Sequence, residues 1–389
     1  MSVRSMLLSC LSVISLVSTT PISEARYGTS TRSRITSRDT TTTFGEIDVS
    51  FTLSSAENQL SPGGTYPRLA RLSDNSILSI STFFTDESER ILRIARSDDD
   101  GSTFTQIGEV ARSTGDMDNG FLMQLPSGTV LAAFRNHDLV DNTLKYFRIT
   151  VCHSEDGGRT WSFLSQAAEQ AADSTGFNGL WEPFMRIGKD GGIQLTYSGE
   201  LSSTNQETFR VLSYDEGKTW TTPTNLRLHG EDQQFRDGMQ GIVSVKDTGS
   251  GEDVLVMVFE VKEGNQFHLG TVTSYDDGNT WGSRSTIYQI SQHNAGAPQI
   301  ASLGQNLAVV FMTDEDRNVD ELDWPRKADV KMIFSSALSN GQIAWTTETM
   351  HISGENSFWP GTFQKGSDDI IAVYELGSIP FGKTISRIN

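Results

Sequence analysis

Ser97-Asp98-Asp99-Asp100-Gly101-Ser102-Thr103-Phe104 returns as Ser154-Glu155-Asp156-Gly157-Gly158-Arg159-Thr160-Trp161, then from Ser213 to Trp220 and from Ser274 to Trp281. The shared pattern is Ser-x-Asp-x-Gly-x-Thr-aromatic. Its copies start 57, 59 and 61 residues apart, and a degenerate copy from Ser335 to Trp345 begins another 61 residues on. A period this steady means one supersecondary unit stacked repeatedly. Each octapeptide follows a β-rich run, such as Phe209-Arg210-Val211-Leu212 or Leu269-Gly270-Thr271-Val272, and precedes another short strand. It therefore predicts a hairpin turn, in which the Asp accepts turn amides, the Gly takes positive φ and the aromatic residue wedges between neighbouring sheets. Identical acids at every such turn cannot converge on one substrate, so these aspartates are read as structural.

Upstream of each turn the sequence repeats a first strand, a turn signal such as Ser73-Asp74-Asn75, and an apolar return such as Ile77 to Phe84 or Val254 to Phe259. Four antiparallel strands per period describe a propeller blade. First strands near Tyr66, Asn119, Trp181, Asp237, Ala297 and Trp359 number six. The expected fold is all-β, a six-bladed β-propeller of four-stranded antiparallel blades. The last unit runs out after Ile370 to Tyr374 and a short tail, and Ile47 to Leu53 can supply its missing strand. Strands from both termini then close the ring and remove an open edge.

Residues 1–25 read as an export signal, with Arg4 before the apolar run Met6 to Val17 and a cleavage site at Ser23-Glu24-Ala25. Residues 26–43 read as a Ser/Thr/Arg-rich flexible leader, and residues 44–389 as the propeller. The run is too short to span a bilayer, so a secreted, extracellular monomer is expected, with no membrane partner. Cys10 leaves with the signal and Cys152 stays alone in an apolar run, as an inert thiol. A formal charge of −18 repels nucleic acid and acidic membranes and disfavours a polyanionic substrate. Neither His153 nor His351 has a metal-ligand arrangement around it, so no metal and no cofactor are expected.

In an antiparallel unit the start of the first strand and the end of the second share one edge. Six units bring these positions to one mouth. The first-strand starts carry Tyr66-Pro67-Arg68, Asp118-Asn119, Trp181-Glu182-Pro183, Arg236-Asp237, Ala297-Pro298 and Trp359-Pro360. The second-strand ends carry Phe84, Phe134-Arg135, Tyr197, Phe259-Glu260, Phe311 and Tyr374-Glu375. Carboxylates, arginines and aromatics together suit a sugar, with rings for stacking and charged groups for hydroxyls and protons. Glycoside hydrolysis needs two carboxylates. Glu182, desolvated between Trp181 and Pro183, and Glu260, closing an apolar strand, are the pair read here; Asp237 and Glu200 are alternatives for the acid. Tyr374 is placed beside Glu260. Arg68, Asn119, Arg135, Trp181, Tyr197, Arg236, Asp237 and Trp359 are the substrate-binding set.

The octapeptides are Asp boxes, and with them the chain resembles the sialidase superfamily in the broad sense. Sialidases carry a Tyr/Phe-Arg-Ile-Pro motif and three arginines that grip a carboxylate; here Tyr66-Pro67-Arg68-Leu69 reverses the order, and no arginine stands near Ala297 or Phe311. Leu180-Trp181-Glu182-Pro183-Phe184, Arg236-Asp237-Gly238-Met239 and Val258-Phe259-Glu260 more closely resemble glycoside hydrolase family 93. The resemblance implies a retaining exo-1,5-α-L-arabinanase that frees arabinobiose from the non-reducing end, with Glu182 as acid/base, Glu260 as nucleophile and Tyr374 next to it. An exo-sialidase and a non-catalytic carbohydrate-binding propeller are the competing readings. Residues that differ from unit to unit at the mouth favour one central site over a lectin's repeated ones.

Overall fold

The computed structural model describes residues 38–86, 88–141 and 143–388. Among them every regular element is a strand, except one 3₁₀ turn at Val319–Glu321. The strands of five units fall into antiparallel sets of four, and a sixth set is larger. The first unit is Thr65–Arg71, Ile77–Phe84, Arg90–Ser97 and Thr105–Ser113; the second is Asp116–Gln124, Val130–Val140, Thr143–Ser154 and Ser162–Ala171. The third is Leu180–Ile187, Ile193–Ser202, Asn205–Ser213 and the short Thr224–Asn225; the fourth is Arg236–Lys246, Asp253–Glu263, Gln266–Ser274 and Gly282–Tyr288. A parallel bridge from Gln206 to Arg236 links these two. Ala295–Leu303, Asn306–Thr313, Asp329–Phe334 and Met350–Ser353 make the fifth.

The sixth unit joins both ends of the described chain. Ser357–Gln364, Asp369–Leu376 and Ile379–Ile388 are its C-terminal strands, and Val49–Leu53 pairs with the last of them. Outside it lies Thr40–Phe44, so the expected leader ends earlier than residue 43. The β-branched threonines suit a strand, and Thr43 Oγ1 lies 2.7 Å from Ser50 Oγ. The export signal and the rest of the leader fall outside the described residues.

Burial explains how the units stack. In Asp253–Glu263 the run Val254 to Phe259 is buried throughout, which a strand permits only if both faces are covered. Val256 and Val258 pack on Ile300, Leu307 and Val309 of the fifth unit. Leu255, Met257 and Phe259, on the other face, pack with Phe184 and Leu226 of the third. The first strands of consecutive units lie against one another, and Ser357–Gln364 lies against Thr65–Arg71. These stacked sheets are consistent with a propeller.

The octapeptides form the turns read from the sequence. In all four, the Asp accepts from the Thr amide and hydroxyl and from the Ser hydroxyl, as Asp156 does from Thr160 N at 2.9 Å, Thr160 Oγ1 at 2.6 Å and Ser154 Oγ at 2.8 Å. The Thr hydroxyl and amide bonds hold Asp99, Asp156 and Asp215 down at about 2. Their carboxylates thus favour the folded state above the ordinary carboxylate range, and this is lost as pH falls through 2. In the degenerate fifth copy, Asp247 of the fourth unit supplies the missing acid, accepting from Asn340 N at 2.7 Å and Gly341 N at 2.8 Å.

Gly158 has φ +91°, and a Cβ there would sit 2.9 Å from Leu78 Cδ1 of the preceding unit. Gly158→Ala is therefore expected to destabilise the protein by about 1–3 kcal/mol, seen as a lower urea midpoint at unchanged m-value. An unchanged midpoint would mean that this turn does not clamp the two sheets.

Candidate active site

One irregularity recurs in every unit. Where the first strand pairs with the second, two residues of the first stand opposite one of the second. The doubled residues are Tyr66-Pro67, Asn119-Gly120, Glu182-Pro183, Met239-Gln240, Ala297-Pro298 and Trp359-Pro360. The leading residue of each pair has φ between 50° and 57°, and none is glycine. Such a bulge re-aims a side chain at a local cost of roughly 1–3 kcal/mol. Six strained positions at one level mark where the molecule has been shaped for something other than stability.

The residues opposite the bulges are Ser81, Phe134, Tyr197, Phe259, Phe311 and Tyr374, all of them buried. The next residue along each second strand points the other way, giving Thr82, Arg135, Ser198, Glu260, Met312 and Glu375. Each of these touches the bulge region of the following unit. Thr82 Oγ1 donates to Asp118 at 2.6 Å, Arg135 lies 4.9 Å over the Trp181 ring, and Ser198 Oγ is 2.9 Å from Gln240 Oε1. Glu260 Oε2 accepts from Ala297 N at 2.8 Å, and Met312 Sδ from Trp359 N at 3.2 Å. Glu375 Oε2 accepts from Thr65 Oγ1, which returns the series to the first unit.

Glu182 and Glu260 meet in this ring. Glu182 Oε2 accepts from Met239 N at 2.9 Å and from Ser198 Oγ at 3.0 Å. A Cβ placed on Gly238 would sit 3.5 Å from Glu182 Oε2 and 3.6 Å from Glu260 Oε1. The two oxygens thus flank one point, which Gln206 Nε2 also approaches at 2.5 Å, and their separation cannot exceed the sum of those distances. Burial raises both carboxyls. It lifts Glu260 to about 7, with the Glu182 charge adding to the effect and the Ala297 amide, Arg236 and Lys262 opposing it. On Glu182 the Met239 amide, the Ser198 hydroxyl, Arg135 and Arg236 all oppose burial. Glu182 Oε2 accepts two hydrogen bonds and the Glu260 carboxyl one, so within the pair Glu182 is the better held as a carboxylate.

Around them stand several residues expected at the mouth. Asn119 and Trp359 occupy bulges, and Asn119 Oδ1 is buried with no hydrogen-bond partner. Trp181 is packed edge to face with His137, ring centroids 4.8 Å apart. Arg135 pairs with Asp116 at 2.9 Å. The Arg68 guanidinium stacks 3.9 Å over the Tyr66 ring and donates to Pro67 O and Trp359 O, while its Nη2 is buried without a partner.

Five expected roles are corrected. Tyr374 lies opposite a bulge, so its side chain joins the core, and its hydroxyl donates to Glu57 rather than to Glu260. Tyr197 is likewise core, stacked on Phe209 at 5.8 Å, and Ser198 holds the position facing the site. Asp237, two residues before the leading residue of its bulge, is fully buried and clamped by Arg284 at 2.7 and 2.9 Å and by His229 at 3.0 Å. Arg236 donates to Glu200 at 2.5 Å and to Gln206 at 2.9 Å, which engages both Arg236 and the alternative acid Glu200 in structure. The sequence reading put Tyr66 and Asp118 at the mouth without giving them a role, and missed Ser198. Tyr66-Pro67 carried a usable signal, because it repeats the aromatic-or-acid-then-Pro pairs Glu182-Pro183 and Trp359-Pro360.

Among solved structures, the chain is similar to the GH93 α-L-arabinofuranosidase of Fusarium graminearum in complex with arabinobiose, at TM-score 0.63 and 20% identity over 85% of this chain and 94% of that one. Its fold is the fold of family 93 glycoside hydrolases. Penicillium chrysogenum α-L-arabinanase complexed with arabinobiose gives TM-score 0.63 and 20% identity over 89% and 98% of the two chains. A Hadza microbial sialidase is more distant, with TM-score 0.51 and 14% identity over 83% of this chain and 66% of that one. No protein-family model matches the sequence, and neither does any curated protein.

Proposed function

We propose that this chain is a secreted, retaining exo-arabinanase on a closed six-bladed propeller, and that it releases arabinobiose from the non-reducing end of linear 1,5-arabinan. The observation that carries the proposal is the placement of two half-buried glutamates on either side of one point above Gly238. The contacts that run from Thr82 round to Thr65 support six blades in a closed ring. The arabinobiose complexes of the two similar enzymes support the substrate.

The electrostatics favour a division of labour opposite to the one implied by the sequence resemblance. Glu182, ionised, attacks the anomeric carbon while the bond to the leaving sugar breaks and the Glu260 proton passes to the leaving oxygen. Water then gives a proton back to Glu260 and its oxygen to the anomeric carbon, which frees the Glu182 carboxylate. Oε2 of Glu182, the oxygen on the side of Glu260, is held in place by Met239 N and Ser198. Trp181, Trp359, Asn119, Arg68 and Arg135 are the substrate-binding set in this reading. A clamp for a substrate carboxylate is disfavoured, because Arg135 and Arg236 already answer Asp116 and Glu200.

Product analysis of linear 1,5-arabinan tests the proposal, with arabinobiose expected as the main early product. No release from arabinan, or release only from a sialoside, would reject it. Activity should follow a bell-shaped pH profile. The alkaline limb falls as Glu260, whose pKa is raised to about 7, loses its proton; the acid limb falls as Glu182 gains one. Activity that climbs steadily above pH 8 would exclude Glu260 as the acid.

A further inference from the structure

Second and third strands are joined by two to five residues in five of the units, but by fifteen, 314–328, in the fifth. All these links start at the edge where the bulges lie, so the long one stands over the site. It is tied down along its length. The Asp314 carboxylate accepts from Asn294 N at 2.7 Å and Asn294 Nδ2 at 2.8 Å. Arg317 pairs with Asp329 at 2.5 Å and donates to Lys327 O at 3.0 Å, and Ala328 N donates to Pro325 O at 3.1 Å.

What this loop delivers to the site is Trp324. An ideal Cβ on Gly296 would sit 3.1 Å from Trp324 Cζ2 and 2.9 Å from Glu260 Oε2. The absence of a side chain at Gly296 thus lets the indole edge and the carboxylate flank the same point. Phe267 backs the indole, with ring centroids 5.9 Å apart. Trp324 is half-buried, and among the described residues its Nε1 has no hydrogen-bond partner in the protein. An aromatic ring anchored against the core, half-exposed and adjacent to a carboxyl is suited to stack on a sugar ring.

We propose that Trp324 is the stacking platform for the sugar on the leaving side of the scissile bond. This rests on the reading of Glu260 as the group that protonates the leaving oxygen, since a ring beside that group lies beside the departing sugar. Trp324 then makes the protein prefer chains that extend past the bond it cuts.

The test compares Trp324→Ala and Trp324→Phe with the unaltered protein on linear 1,5-arabino-oligosaccharides and on arabinobiosyl fluoride, whose leaving group is too small to stack and needs no acid. Trp324→Ala is expected to lose about 10- to 30-fold in kcat/KM on the oligosaccharides, keep its rate on the fluoride, and recover most of the loss as Trp324→Phe. The retained fluoride rate also reports that the variant is folded. Equal losses on both substrates, or none on either, would overturn the assignment. If the unaltered protein ignores arabinan but cuts another glycan, the arabinan reading fails, and the same comparison on that glycan and its glycosyl fluoride decides the role of Trp324. A protein that cuts no glycan overturns both.

Discussion

Glu260→Gln is expected to lower kcat/KM on linear arabino-oligosaccharides by about 10²- to 10⁴-fold, and to give a burst of fluoride from arabinobiosyl fluoride followed by slow turnover. Fluoride leaves without a proton, so the first step survives the loss of the acid. The second step slows because Glu260 also takes the proton from water. Glu182→Gln should remove activity on both substrates with no burst, because the attacking oxygen itself is gone. Steady-state and burst kinetics on the two variants separate the roles. The reverse outcome, a burst from Glu182→Gln and none from Glu260→Gln, would restore the assignment implied by the sequence resemblance. Thermal unfolding should show both variants folded, and the raised Glu260 carboxyl gives the direction: removing a buried group whose charge is disfavoured does not weaken the native state.

Arg284→Met should cost about 3–5 kcal/mol of stability, the largest loss expected away from the dyad. Both guanidinium bonds to Asp237 disappear, and a fully buried carboxylate is left with only His229. Asp237 also anchors the chain just before Gly238 and Met239, whose amide holds Glu182. The variant should therefore lose kcat as well as stability. Replacing both partners, as Asp237→Leu with Arg284→Met, should recover much of the stability, because the penalty lies in the unpaired charge. A urea midpoint for the single variant equal to that of the unaltered protein would show that the pair contributes nothing net.

The period of the octapeptides was enough to read the all-β class, the four-stranded units and the pairing of Val49–Leu53 with the C-terminal strands. Glu182 and Glu260 were legible because a carboxylate beside proline or at the end of a buried strand is out of place there. The errors at Tyr197 and Tyr374 have one cause. Strand side chains alternate, so a reading that finds the strand end but not the bulge opposite is off by one residue, and a bulge leaves no mark in strand periodicity. Asp237 was misread because its partner, Arg284, lies on the outermost strand of the same unit, a pairing that spacing cannot show. Trp324 was invisible for a different reason: it sits in a link that breaks the repeat, where nothing in the pattern says which way the chain turns.

The most direct test is to incubate the unaltered protein with a slow substrate, 2-deoxy-2-fluoro-arabinobiosyl fluoride, and map the adduct by mass spectrometry of the digested protein. The mass of one fluorinated arabinobiosyl group is expected on the peptide that carries Glu182. An adduct on Glu260 or Tyr374, or turnover through direct inversion with no adduct, would contradict the account.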